Sequence, residues 1–289
     1  MSVILVTGSS TGIGQETALH FARQGHEVYA SCRNPDSATD LRDKIAAEDL
    51  AVQVLALDLV KPDTIARAVQ QIQRSSGGID VLVANAGIGA GSSIEETELE
   101  VAREIFETNY FGNVSVLREV VPVMRRQGSG HVVVIGSLAG RYVAGCHAHY
   151  SASKWAMEGL CEALAQEMSE FGGRVSILEP GCVLTPIWTK VAPSDAEPLY
   201  PESVKRLGRF FEFGLRKPAL PQDVAQTIET TVKAESPPFR VPVGKDAVEI
   251  IKGRQAVGDE TWMKAMCLRD YDAFASRWQE IVGVDYYRD

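Results

Sequence analysis

The strongest constraint on this chain is an alternation of short, nearly all-apolar runs with longer stretches of helical character. Residues 3–6, 27–31, 52–57, 81–84, 132–135 and 175–178 read as strands. Apolar side chains at almost every position, rather than every second one, predict strands covered on both faces, as in a parallel sheet. Segments 12–24, 36–48, 63–75, 97–126 and 150–171 lie between them and are long enough for crossover helices. In the last of these, Met157, Leu160, Leu164, Met168 and Phe171 form a stripe at helical spacing that should pack on the sheet. Repeated strand–helix units connect with one hand, so the expected fold is α/β: a single-domain, doubly wound parallel sheet of Rossmann type over residues 1–289. Ligands of such sheets bind at the carboxyl ends of the strands, in the loops that follow them.

The bulk properties narrow the partners. A net charge of −9 has the wrong sign for neutralising a nucleic-acid backbone or for docking on an anionic bilayer. The five cysteines show no CxxC pair and no metal-ligand spacing, which suits a reducing compartment and predicts no metal site. "SVILVTG" is too short for a membrane span or a signal segment. The expectation is a soluble cytoplasmic protein that binds a small molecule.

The chemistry-bearing residues fall in the predicted strand-end loops. "TGSSTGIG" places Gly8, Gly12 and Gly14 between the first strand and the first helix. Glycines there allow a tight turn and close approach of main-chain N–H groups to a pyrophosphate, aided by the helix N-terminus. At the end of the second strand, where an acidic residue would hold the ribose diol of NAD, the sequence reads "SCRN". Arg33 in that place suits the 2′-phosphate of NADP(H), with Ser10 as a second donor; the other reading is a solvated loop arginine. Asp58 after the third strand is placed to accept from an adenine amino group, and Asn85 to Gly87 after the fourth to lie against a cofactor. Both sets are equally able to hold their own turns. Tyr150 and Lys154 stand one helical turn apart, on one face of the last predicted helix.

In this order the motifs resemble the short-chain dehydrogenase/reductase superfamily: Thr7-Gly8-xxx-Gly12-Ile13-Gly14, Asn85-Ala86-Gly87, Asn109, Ser137, Tyr150-xxx-Lys154, and Pro180-Gly181 followed by Thr185. The resemblance spans residues 3 to about 190. "VYASCRNP", "VLVANAGIG", "YSASKWAMEGLCEALA" and the later "RFFEF" are similar to its estradiol 17β-dehydrogenase and retinol dehydrogenase branch. The resemblance implies catalytic roles for four residues. Tyr150 is the general acid in reduction and the base in oxidation, Ser137 orients the substrate oxygen, Lys154 holds the nicotinamide ribose and favours the phenolate, and Asn109 positions a water that feeds protons to the lysine. It implies cofactor contacts from Gly8, Ser10, Thr11, Gly12, Ile13, Gly14, Asn85, Gly87, Val183 and Thr185, the last also readable as a turn threonine. The implied activity is an NADP(H)-dependent carbonyl reductase or secondary-alcohol dehydrogenase for an apolar ketone or alcohol. A non-catalytic NADP-binding regulator is the alternative. Family members commonly pair through the helices that here span 97–126 and 150–171, implying a homodimer or, with a second interface, a tetramer.

The substrate side is less determined. Residues 186–220 are proline-rich and carry Phe210, Phe211 and Phe213, which suits a helical lid over an apolar ligand or a surface helix burying its aromatics. Residues 245–289 read as two more helices, packed on the same subunit or on a neighbour. Small residues at Gly89 to Ser92, and Ala144 to His149 before the tyrosine, predict a roomier or more polar pocket, where His147 either bonds a substrate oxygen or caps its loop.

Overall fold

The computed structural model describes residues 1–189 and 197–288; part of the expected lid, residues 190–196, lies outside the described residues. Seven parallel strands form one sheet in the order β3-β2-β1-β4-β5-β6-β7. They are β1 (Val3–Thr7), β2 (Glu27–Cys32), β3 (Val52–Ala56), β4 (Val81–Ala84), β5 (Gly130–Ile135), β6 (Gly173–Pro180) and β7 (Arg240–Val243). The order reverses between β1 and β4, which pair in the register Val6↔Val83, while β1 pairs with β2 as Val6↔Ala30. That reversal opens a crevice at the carboxyl edge.

Each central strand is apolar throughout because it feeds two cores. Leu5, Leu82, Val132 and Val134 pack with Ile65 and Ile72 of α3 (Pro62–Ser76), Val116 and Val120 of α5 (Asn113–Gln127), and Met157, Leu164 and Met168 of α6 (Ala148–Ser169). Their neighbours Ile4, Val6, Val83 and Val133 face the other way. These meet Leu19 and Phe21 of α1 (Gly12–Arg23), Leu41 of α2 (Thr39–Glu48), and Val224 and Ile228 of α8 (Pro221–Lys233). The α6 stripe packs on the sheet as expected, Leu160 and Phe171 at its margin.

The structure departs from the sequence expectation in two places that matter. The seventh strand, "RVPV", has no long apolar run and contains Pro242, which a sheet tolerates at an edge. The expected helix over 97–126 is instead α4 (Leu99–Phe106), a π turn at Glu107–Gly112 that carries Asn109, and α5. Gly112 lies so close to Leu59 that a Cβ there would be 2.6 Å from the Leu59 Cβ.

A third aromatic core lies beyond the sheet edge. It joins α7 (Pro201–Arg216), α9 (Lys245–Met266, kinked at Gly258) and α10 (Tyr271–Val282) to Leu138, Tyr142 and Cys182 of the strand-end loops. Trp262 and Trp278 are fully enclosed in it. The C-terminal helices therefore pack on their own subunit.

Candidate active site

The glycine turn is a shaped cradle. Gly8 and Gly12 have φ of 69° and 63°, a region that costs most residues but not glycine. A Cβ on Gly14 would sit 2.4 Å from the Gly8 carbonyl oxygen and 2.5 Å from Asn85 Nδ2. α1 begins at Thr11, which makes no side-chain cap, and no acidic residue lies in its first turn. Its first N–H groups and the helix dipole thus face the crevice without a compensating group from the chain, a donor set that fits a pyrophosphate.

Asn85 builds this cradle. Its Nδ2 donates to the carbonyls of Thr7 (2.9 Å) and Gly8 (3.2 Å), and its backbone N–H donates to Thr7 Oγ1 at 3.0 Å. Thr7 opens the glycine motif of the sequence, and the structure gives it a further part: fully buried at the strand end and also accepting from Ala86 N–H, it ties the first and fourth loops. Arg33 is exposed immediately after β2, whose Ser31 carbonyl accepts from Ser9 N–H at 2.8 Å. Among the described residues it forms no ion pair. Asp58 ends its loop half-buried, with Oδ1 accepting from Val60 N–H (3.3 Å) and Oδ2 3.6 Å from Lys61 Nζ. That carboxylate holds its own turn.

On the far side of the crevice a Gly12 Cβ would be 3.3 Å from Thr185 Cβ, so Thr185 stands against the glycine turn. Val183 is buried beneath it, its carbonyl accepting from Trp188 Nε1 at 2.7 Å. Asp246 of α9 supports this loop, Oδ2 accepting from Cys182 N–H at 2.6 Å. A Cβ on Gly181 would collide with that carboxylate at 2.1 Å. Nothing in the sequence pointed to Asp246, because its partner is a main-chain group far away in the chain.

The Ser137 hydroxyl stands beside the Tyr150 phenol and favours its ionised form. Ser137 Oγ accepts from Ala139 N–H (3.1 Å), closing the short turn after β5. Lys154, one turn along α6, donates from Nζ to the Ile135 carbonyl (3.0 Å) and lies 5.7 Å from the Tyr150 ring centroid. Burial lowers the Lys154 ammonium to about 8. The phenol does not behave as the sequence predicted: burial raises Tyr150 above its ordinary value, and the Ser137 hydroxyl only partly offsets this. Desolvation of the buried phenol, which penalises the phenolate, is the larger effect.

Asn109 reaches the same centre from the π turn. Its Oδ1 accepts from Ile88 N–H at 2.8 Å, and its Nδ2 donates to the Ile88 carbonyl (2.9 Å) and to Ser153 Oγ (3.1 Å). Ser153 Oγ donates to the Tyr150 carbonyl at 2.7 Å. Both amide hydrogens are thereby committed, and the side chain locks the loop after β4 to α6. Gly87 is packed against it, a Cβ there falling 3.1 Å from Asn109 Oδ1 and 3.8 Å from Lys154 Nζ. Ser153 thereby joins Asn109 to the helix that carries Tyr150.

The mouth beyond Tyr150 is apolar. Phe211 sits edge-on to His147 (5.7 Å between centroids) and to Trp188 (4.9 Å). Ile187 reaches Gly89, and Leu207 reaches Gly91. Exposed Ile94, Val143, Leu199 and Val204 occupy the segments that converge there. The aromatics expected together in a lid are divided: Phe211 faces the mouth, whereas Phe210 is buried against Tyr142 and Tyr286, and Phe213 lies 4.2 Å from Tyr286.

The short chain dehydrogenase family model matches residues 2–196. The chain belongs to the short-chain dehydrogenases. Human 17-beta-hydroxysteroid dehydrogenase type 1 is 34% identical over 254 residues, 83% of this chain and 76% of that protein. Bovine retinol dehydrogenase 8 is 33% identical, over 82% of this chain and 80% of its own length. Among solved structures, a short-chain dehydrogenase from Streptomyces avermitilis superposes with a TM-score of 0.80 at 31% identity, covering 97% of this chain and 96% of that one. This short-chain dehydrogenase is thus an oxidoreductase of the hydroxysteroid and retinol dehydrogenase branch, a family that binds a nicotinamide cofactor. None of its described helices is long and apolar enough to cross a membrane.

Proposed function

We propose that this short-chain dehydrogenase is an NADP(H)-dependent carbonyl reductase or secondary-alcohol dehydrogenase for an apolar ketone or alcohol. One observation carries the reading: the Ser137 hydroxyl beside the Tyr150 phenol, with Lys154 one turn away, opens between the glycine cradle and an apolar mouth. When bound, the nicotinamide supplies or accepts the hydride. Ser137 and Tyr150 hold the substrate oxygen between two hydroxyls, and Tyr150 donates its proton to that oxygen as negative charge develops there. A phenol kept protonated by burial is in the right state to act as an acid. Lys154 holds positive charge beside it below about pH 8 and compensates the phenolate that the transfer leaves. Asn109 fastens the loop after β4 to α6 through Ile88 and Ser153, with the water-relay role carried from the family. Arg33, exposed and without an ion pair among the described residues, supports a preference for the 2′-phosphate, and the small loops around Gly89 and Gly91 support a substrate of some bulk. Exposed Leu99, Val101 and Phe111 on one helical rod and Trp155 on α6 support pairing of two copies through these helices.

The test is cofactor oxidation with NADPH and NADH against ketones running from small aliphatic to aryl, retinoid and steroid. Turnover favouring NADPH is expected, and Arg33→Asp should reverse the preference; an unchanged preference would remove the argument from Arg33. Tyr150→Phe should lower kcat by about a thousandfold while leaving NADPH affinity within about twofold, since a proton donor contributes on that scale and makes little of the binding. Tight NADPH binding with no turnover of any ketone would favour the regulatory alternative.

A further inference from the structure

His147 precedes α6 and lies over the catalytic tyrosine. Its ring centroid is 4.8 Å from that of Tyr150, with the planes inclined by only 31°. The ring reaches this place because Cys146 adopts φ of 60°, a left-handed conformation that is rare outside glycine and costs energy to hold. Ser92 bridges to His147 through the main chain, fixing the loop after β4 to the start of α6.

The imidazole is partly open to the mouth yet shielded from bulk water by Phe211 and Tyr150. Burial lowers it to about 4, so at neutral pH the ring is uncharged and offers one N–H donor and one acceptor nitrogen. Among the described residues neither nitrogen has a hydrogen-bond partner. Other polar groups around the same mouth are already used. Ser93 Oγ donates to Glu96 at 2.5 Å, Leu199 N–H donates to Glu96 at 3.0 Å, and Tyr200 donates to Glu95 at 2.7 Å. A neutral donor and acceptor with unused capacity, set in an apolar wall and open to the mouth, is available to a ligand that enters it.

We infer that His147 is a specificity residue that hydrogen-bonds a second oxygen of the substrate, so that the preferred substrates are ketones carrying a hydroxyl or second carbonyl a few bonds from the carbonyl that is reduced. The closeness of the His147 and Tyr150 rings, 4.8 Å between centroids, sets the separation: an oxygen held by Tyr150 and Ser137 and another held by the imidazole lie a few bonds apart in one small segment. Phe211, Trp188, Leu207 and Ile187 enclose the apolar remainder. Polar recognition of this kind discriminates more sharply than apolar contact, because the analogue lacking the oxygen leaves the imidazole unpaired. This inference rests on the reductase reading above.

The test uses β-hydroxypropiophenone and propiophenone as a matched pair, with the full-length protein and saturating NADPH or NADH. The wild type should favour the hydroxy ketone by about tenfold in kcat/KM, most of it in KM, the scale of one neutral hydrogen bond made in a shielded site. His147→Phe should bring the ratio near unity, and His147→Asn, which keeps a donor and an acceptor, should restore part of it. A role in folding alone would lower both ketones together and leave the ratio intact. Turnover of both ketones with no preference, or a preference that survives His147→Phe, overturns the inference while the reductase reading stands. No oxidation of either cofactor with either ketone overturns both.

Discussion

The two walls of the crevice are built by different physics. The cofactor wall is held by single contacts of fixed geometry: Asn85 to the Thr7 and Gly8 carbonyls, Gly14 against the Gly8 oxygen, and the uncapped start of α1. The substrate wall is held by volume, with Tyr142 edge-on to Trp262 and Trp278, Phe210 stacked on Tyr286 and tilted against Tyr142, and the two tryptophans tilted against each other, joining α7, α9 and α10. α7 is fastened along its length. Arg206 donates to the Leu268 carbonyl (2.8 Å), Lys205 Nζ lies 3.9 Å from the Tyr271 ring centroid, and Tyr200 holds Glu95. One wall specifies residues and the other specifies shape. A methyl group should therefore disable the first, whereas the second should yield only to the loss of a whole ring.

Gly14→Ala is the sharpest way to break this contrast. The new Cβ has nowhere to go but into the Gly8 carbonyl and Asn85, so the cradle must open. NADPH affinity should fall by more than about a hundredfold, equivalent to about 3 kcal/mol, while the aromatic core is untouched. Calorimetric titration checks it, and affinity within a few-fold of wild type would show that the cradle is softer than its contacts imply. On the other wall Phe210→Ala should cost about 3–5 kcal/mol of stability through cavity formation. Phe211→Ala, from a half-buried ring at the mouth, should cost much less stability and instead raise KM for bulky ketones. Equal loss of stability in the two variants, measured by denaturant unfolding, would mean that α7 does not separate a core face from a substrate face.

The same contrast explains what could be read without a structure. The first six strands, the crossovers and the glycine turn were legible because a parallel strand buried on both faces has no polar alternation and a backbone cradle tolerates few residues. Ser137, Tyr150 and Lys154 were legible as a set through the resemblance to the short-chain dehydrogenases, Ser137 following the fifth strand and Tyr150 and Lys154 standing one helical turn apart in the next helix. Asp246 and the tie made by Thr7 were not, because each acts by bonding main-chain groups that any sequence supplies. The edge strand β7 was hidden by Pro242 and its half-exposed pattern, and the π turn at Asn109 by its ordinary helical composition. The division between Phe210 and Phe211 could not be seen either, because adjacent helical positions differ in direction and only the packing partners say which one faces the crevice.

The smallest expected effect concerns the ground between the walls. Directly behind Lys154, Glu158 and Glu179 are both buried, each with one carboxylate oxygen lacking a partner. Arg240 Nε donates to Glu158 at 2.8 Å and lies 3.7 Å from Glu179, while Arg141 pairs with Glu179 at 2.9 Å. Glu162, on the same α6 face, shares Arg240, and buried Cys161 adds no charge near neutrality because burial raises its thiol to about 12. Burial first, and the Glu179 charge second, raise Glu158 above the ordinary carboxyl value of 4.5. A carboxyl raised on folding contributes stability that is full below its unfolded value and is lost as pH rises through the folded one. Glu158→Gln, which can still accept from Arg240, should therefore leave stability nearly unchanged at pH 4.5 and increase it by about 1 kcal/mol at pH 8. The same substitution removes a negative charge that helps keep Lys154 protonated, so the alkaline fall of the proposed ketone reduction should move to lower pH. Thermal unfolding at the two pH values and a kcat/KM profile read the two effects separately. A variant whose stability difference is the same at both pH values, with an unmoved alkaline limb, would show that the carboxyl pair is insulated from both walls.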